Sequence, residues 1–85
     1  MKMTVSFTNS HNVIMADLRE KFGKRLKSLR VQKGISQEAL ANQADIHRTY
    51  PSKLENGLRG ATLDTIEQLA DVLDVEPREF FEFEE

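Results

Sequence analysis

Ile35-Ser36-Gln37-Glu38-Ala39-Leu40-Ala41-Asn42-Gln43-Ala44-Asp45-Ile46-His47-Arg48-Thr49-Tyr50-Pro51-Ser52-Lys53-Leu54-Glu55-Asn56-Gly57 is the stretch whose reading decides the fold. Ser36 opens a helix, because a serine oxygen accepts the free backbone N–H groups of a first turn, and Glu38 suits the positive end of the helix. Leu40, Ala41 and Ala44 recur at helical spacing and form its inner face, with Ala41 small enough for a second helix to approach closely. Asp45 stands in the turn because aspartate, asparagine and glycine best tolerate a positive φ. Ile46 plugs the turn. A second segment, roughly 47–56, carries Tyr50 and Leu54 inward and stops at Asn56-Gly57. The pattern is two short helices joined by a tight turn at a steep angle.

Pro51 disturbs this second helix. A proline inside a helix loses one backbone bond and clashes with the carbonyl four residues back unless it lies in the first turn. Two geometries accommodate it. Either the helix starts near 47–48 with His47 as its cap and a distorted first turn, or regular helix starts near Pro51 and Arg48 and Thr49 sit in an extended lead-in. The first is the expectation adopted.

Towards the N-terminus, Ile14, Leu18, Phe22, Leu26 and Leu29 recur at three- and four-residue steps among lysines and arginines, an amphipathic helix that ends at Gly34. Asp17 with Glu20 is a candidate cap for its start. Residues 1–16 are an N-terminal arm: Met3, Val5 and Phe7 alternate with polar residues, and 8–12 reads as a turn. The arm is either a short strand that needs a partner or a disordered segment. Towards the C-terminus, Thr62 caps a helix along which Leu63, Ile66, Leu69, Ala70 and Leu73 form the apolar stripe. Pro77 starts a fifth, with Phe80, Phe81 and Phe83 in or after it. The expected architecture is all-α, five short helices in a compact domain over residues 17–85.

Eighty-five residues allow one modest core and no separate catalytic domain. Cysteine is absent, which excludes disulfides and thiolate-zinc sites and suits a reducing cytosol. No apolar run approaches the ~18 residues that span a bilayer, and Lys2 alone before a polar stretch does not resemble a secretory signal. His11 and His47 are too few and too separated for a metal site. There is no phosphate-cradling glycine loop and no serine–histidine–aspartate set, so neither enzyme activity nor a cofactor is expected.

The net charge of −2 conceals a segregation. Residues 19–60 hold ten Lys/Arg against four acids, whereas residues 61–85 hold nine acids against Arg78. A cationic half and an anionic half on a small domain suit one face turned to phosphate and another kept away from it.

Arg30…Gly34-Ile35-Ser36-Gln37…Leu40-Ala41…Leu54-Glu55-Asn56-Gly57, followed by Leu63…Leu69-Ala70…Leu73-Asp74-Val75, runs through two-thirds of the chain. In these positions residues 22–75 resemble the Cro/CI-type (XRE) helix-turn-helix family of phage repressors and small bacterial regulators. Within it, His47-Arg48-Thr49-Tyr50 is similar to the controller proteins of restriction–modification systems. The resemblance implies a lambda-repressor-like DNA-binding domain, bacterial or phage-encoded, cytoplasmic and DNA-associated, with the second helix of the pair in the major groove. It implies that Arg48, Thr49 and Lys53 meet base edges, with Ser52 as a further contact. Arg and Lys donate to guanine O6 and N7, and Thr bonds an edge or touches a thymine methyl. It also implies that Gln37 bonds a phosphate and braces the recognition helix, that the Asn56 backbone, Arg59 and Arg25 hold phosphates, and that Arg30 and Glu55 form a structural ion pair.

One such domain reads only about four to six base pairs, so a homodimer on a two-fold repeated double-stranded operator is expected. The apolar C-terminal part is the expected dimer surface, with Leu73, Phe80, Phe81 and Phe83 in it. The expected function is a transcriptional regulator of repressor type with no membrane association. Two rivals stand beside it. One is an autoregulating antitoxin, whose residues 1–16 also bind a protein partner; the other is an interaction module that has lost DNA binding.

Overall fold

A computed structural model describes the backbone of residues 7–83 and the side chains of residues 18–83. These described residues form four α-helices and one 3₁₀ helix: α1 (Phe7–Lys33), α2 (Gln37–Ala44), α3 (Tyr50–Glu55), α4 (Leu63–Leu73) and the 3₁₀ helix at Pro77–Phe81. Three helix ends are built alike. Gly34 has φ 81°, and Asp45 and Asp74 both have φ 58°, each just past the last helical residue. The following N–H then returns to the carbonyl five residues back, Ile35 to Arg30 at 3.4 Å, Ile46 to Ala41 at 3.0 Å and Val75 to Ala70 at 3.0 Å. This closes the orphan carbonyls and leads the chain straight into an apolar contact. Ile35, Ile46 and Val75 all pack half-buried against the core. Each helix therefore ends by anchoring the next.

The core takes Phe22, Leu26 and Leu29 from α1, Leu40 and Ala44 from α2, Leu54 from α3, four residues from α4, and Phe80. Ser36 and Thr62 cap α2 and α4 with their hydroxyls, accepting the N–H groups of Ala39 and Thr65, both at 3.0 Å. α3 lies chiefly against α1, and α2 chiefly against α4. The α1–α3 contact is close because Gly23 faces the last residues of α3. A β-carbon there would stand 2.3 Å from the Leu54 carbonyl oxygen and 2.8 Å from that of Glu55.

Several expectations are corrected. α1 is helical from Phe7, so the turn expected over 8–12 is helix and Asp17 and Glu20 lie within α1 rather than at its start; the strand expectation over residues 1–6 lies outside the described residues. The fifth helix is a 3₁₀ turn, with the Glu79 carboxylate accepting the Glu76 N–H at 3.0 Å. So short a segment does not need the wider α geometry. Leu18 and Leu63, though on the apolar stripes, are 45% and 84% exposed.

Gly23→Ala at an exposed helical site would stabilise by about 1 kcal/mol. Here the added methyl meets backbone on two sides, and the variant should instead lose about 1–3 kcal/mol. A lowered midpoint of thermal unfolding checks this; an unchanged or raised midpoint contradicts it.

Candidate nucleic-acid interface

The reading segment is shorter than its sequence suggests. Regular helix covers Tyr50–Glu55, and Thr49 precedes it in helical geometry, with φ −87° and ψ −10°. Pro51 is thus the second helical residue, in the turn whose N–H groups have no intrahelical acceptor, and its missing donor costs nothing there. Its ring is fully buried. Each geometry anticipated for Pro51 is met in part: regular helix starts beside Pro51, at Tyr50, but the lead-in from His47 is a turn and is not extended. It is a tight turn closed by the Tyr50 N–H on the His47 carbonyl at 2.9 Å. The His47 imidazole completes it, with Nδ1 accepting the Thr49 N–H at 3.2 Å. At the other flank the Tyr50 hydroxyl donates to the Gly60 carbonyl at 3.2 Å and ties the lead-in to the loop that carries Arg59.

Beneath this surface Arg30 and Glu55 meet fork to fork. Arg30 Nε and Nη2 donate to Glu55 Oε2 and Oε1 at 2.7 and 3.1 Å, and Nη1 donates to the Ile35 carbonyl at 2.9 Å. Gln37 Nε2 adds a third donor on Glu55 Oε1 at 3.0 Å. The two charged side chains are only 11% and 3% exposed. The hydrogen bond to Glu55 raises the Arg30 pKa above its ordinary value; burial opposes this and the Glu55 charge adds to it. One carboxylate therefore joins α1, the start of α2 and the end of α3, with both of its oxygens satisfied.

The expected contact residues divide. Arg48, Thr49, Lys53 and Arg59 are exposed. Ser52 is half-buried, and its carbonyl and hydroxyl accept from Asn56 Nδ2 at 2.9 and 3.4 Å. The Asn56 backbone N–H, expected on a phosphate, is engaged by the Ser52 carbonyl at 3.0 Å and so is not free for that purpose. Arg25 is turned to the 3₁₀ helix, where Nε donates to the Glu79 carbonyl at 2.7 Å and Nη2 lies 3.8 Å from Glu82. It fastens the C-terminal segment to α1. Gln37 braces α3 from the first position of α2. Sequence reasoning passed over Gly23, although a glycine inside an apolar helical stripe is itself a cue to close backbone approach. Among the described residues no group of three or more His, Asp or Glu is placed to hold a metal ion.

With a capped short helix, a left-handed turn and a second short helix whose polar side chains face outward, the class of protein is defined. The chain belongs to the helix-turn-helix family, whose model matches residues 26–80. It is similar to control protein C.BamHI of Bacillus amyloliquefaciens, at 40% identity over 68 residues covering 79% of this chain and 84% of the relative. It is also similar to the crystal structure of the restriction–modification controller protein C.AhdI from Aeromonas hydrophila, at a TM-score of 0.73 and 50% identity over 78% of this chain and 98% of that one. A third likeness is to the controller protein C.Esp1396I, solved as a tetramer in complex with its natural 35-base-pair operator. Its TM-score is 0.69, with 35% identity over 76% of this chain and 86% of that one.

Removing one partner of the buried pair, by Glu55→Leu or Arg30→Met, should cost about 3–5 kcal/mol, because the other charge is left without compensation. The double variant should cost clearly less than the two single losses together. Denaturant unfolding of the three variants checks this, and simple additivity would contradict it.

Proposed function

We propose that the protein is a homodimeric, sequence-specific DNA-binding transcriptional regulator of the restriction-controller type, without enzymatic activity. It binds a two-fold repeated operator with α3 in the major groove. The observation that carries this reading is the exposed polar row Arg48, Thr49 and Lys53, mounted on a segment that the buried Arg30–Glu55–Gln37 network holds in one orientation. Side chains on so fixed a support suit base edges in the groove. Arg59, Gln37 and the Asn56 side chain serve phosphates and set register, and Ser52 is a minor contact. Similarity to control proteins favours this role over that of an antitoxin. The protein is cytoplasmic and associated with DNA. No helix among the described residues is long and apolar enough to cross a membrane. Occupancy over a promoter would repress it.

The dimer seam is placed on the outer side of the C-terminal half. Leu73 and Phe80 drop out of it, since both belong to the core at 4% and 0% exposure. What remains is a groove of about 300 Å³ lined by Leu18, Phe22, Ala61, Ile66 and Phe81. Phe81 packs on Phe22 with ring centroids 5.7 Å apart and is still 44% exposed; it meets Phe83 edge-on at 6.1 Å. An apolar trough with exposed Leu18 and Phe81 at its rim suits a second copy related by a two-fold axis.

Selection of bound sequences from random duplex DNA tests the reading surface. Lys53→Ala and Arg48→Ala should each lower affinity about five-fold or more and relax preference at distinct base pairs. If neither variant changes affinity or preference, the assignment of α3 is wrong. For the seam, Phe81→Glu should shift the protein to monomer in sedimentation while its helicity at low temperature stays close to that of the parent and its thermal midpoint falls with the lost dimer. A dimer that persists at the parent's affinity would move the seam elsewhere.

A further inference from the structure

His47 makes a second contact with Thr49 besides the one that closes the turn. Its Nδ1, which accepts the Thr49 backbone N–H at 3.2 Å, also lies 2.9 Å from Thr49 Oγ1. A backbone N–H can only donate, so Nδ1 presents its lone pair to Thr49 and the neutral ring carries its proton on Nε2. With Nδ1 acting as an acceptor, the 2.9 Å contact can be made only by the Thr49 hydroxyl donating. A threonine hydroxyl has one proton and two lone pairs. Its proton is therefore engaged within the protein, and what Thr49 turns outward is lone pairs and a methyl group. Both residues are exposed, so the arrangement stands at the surface that would meet a base edge.

We infer that His47 is a positioning residue that fixes the polarity of Thr49, making Thr49 an acceptor at the DNA. A free threonine hydroxyl bonds either donors or acceptors and discriminates little between them. A threonine whose proton is held by His47 suits the exocyclic amino groups that the major groove presents, N6 of adenine or N4 of cytosine. It opposes thymine O4 and guanine O6 and N7, whose lone pairs it would face with its own. This rests on the reading of Thr49 as a base contact, and it adds the chemical class of base that Thr49 selects and the residue that sets it.

The test uses the full-length protein and operator duplexes that carry every base pair at each half-site position. Thr49→Val keeps the shape and removes the hydroxyl, so it should lose preference at one base pair, which locates the pair that Thr49 reads. At that pair the parent should favour a base with an amino group towards Thr49 by about two- to tenfold. Deleting that amino group, for example with purine in place of adenine, should erase the advantage. His47→Ala frees the hydroxyl to donate and should flatten the preference at this pair while leaving that at the Lys53 pair in place. His47→Asn should restore it, because an asparagine side-chain oxygen can accept the same N–H and O–H. A role limited to capping would instead lower affinity equally for every sequence. The inference is overturned if His47→Ala keeps the parent's preference at the Thr49 pair, or if the favoured base there offers only acceptors. If Thr49→Val leaves every preference intact, the base-contact reading fails and the inference falls with it, a result separate from either of the others. Circular dichroism melts confirm that each exposed substitution leaves the fold in place.

Discussion

A guanidinium and a carboxylate removed from water are costly unless each finds the other with every donor and acceptor used, and the domain is arranged around one such pair. Arg30 comes from α1 and Glu55 from the last position of α3, and Gln37 at the start of α2 completes the set. An exposed ion pair would be worth about 1 kcal/mol or less. This one is enclosed, so its main effect is on geometry: wrong placements of α3 leave a buried charge unpaired, and that penalty removes them. α3 depends on such control because six residues do not hold a helix by themselves in water. Its conformation comes from buried Pro51, Leu54 and Glu55 and from the backbone contact that Gly23 permits. The reading surface is therefore a product of the core beneath it.

The same economy appears in the charge. A net of −2 would be a poor electrostatic footprint for a phosphate-binding protein if it were spread evenly. It is not. α4 turns Thr65, Ile66, Leu69, Ala70 and Leu73 to the core and keeps Asp64, Glu67 and Asp71 exposed, with Asp74 exposed just beyond its end. Arg48, Lys53 and Arg59 are exposed on the segment from the lead-in of α3 to the following loop. At physiological ionic strength fields decay over about 8 Å, so a phosphate next to Arg48, Lys53 or Arg59 responds mainly to those cations. The acidic face favours one orientation of approach and disfavours the reverse.

What could be read from the sequence was what local chemistry determines. Ser36 and Thr62 are caps, Gly34 and Asp45 are left-handed helix ends, and the stripe Phe22, Leu26, Leu29 is buried, because each follows from a few neighbouring residues. Asp74 repeats the geometry of Asp45 to the degree, yet nothing in its immediate neighbours singled it out. The failures have tertiary causes. Leu63 follows the helical stripe but stands on the first turn of α4, past the edge of the core. Arg25 looks like a surface cation until the 3₁₀ helix folds back and offers it the Glu79 carbonyl. Leu73 and Phe80 looked like surplus apolar area, although a domain this small has none to spare inside. Of the contact surface, the residue types were legible and the orientations were not, since Pro51 admitted two local solutions and the fold combines parts of both.

The combined solution has a consequence for recognition. Ordering a flexible segment at an interface subtracts from affinity, by about 0.5–1.5 kcal/mol for each mobile side chain fixed. In this domain the lead-in is already ordered on folding: the Tyr50 N–H closes the turn, the Tyr50 hydroxyl holds the Gly60 carbonyl, and His47 holds both polar groups of Thr49. Lys53 and Arg48 remain long, exposed chains whose charged ends keep the freedom to settle on the base pairs proposed for them. Thr49 is short and held by His47, so as the proposed base contact it has little freedom to change rotamer. A proline that looked like a defect inside the recognition helix thus stands in its first turn, and regular helix starts late, at Tyr50. Thr49 is thereby left on a hydrogen-bonded turn, while Arg48 and Lys53 stay exposed and free to move.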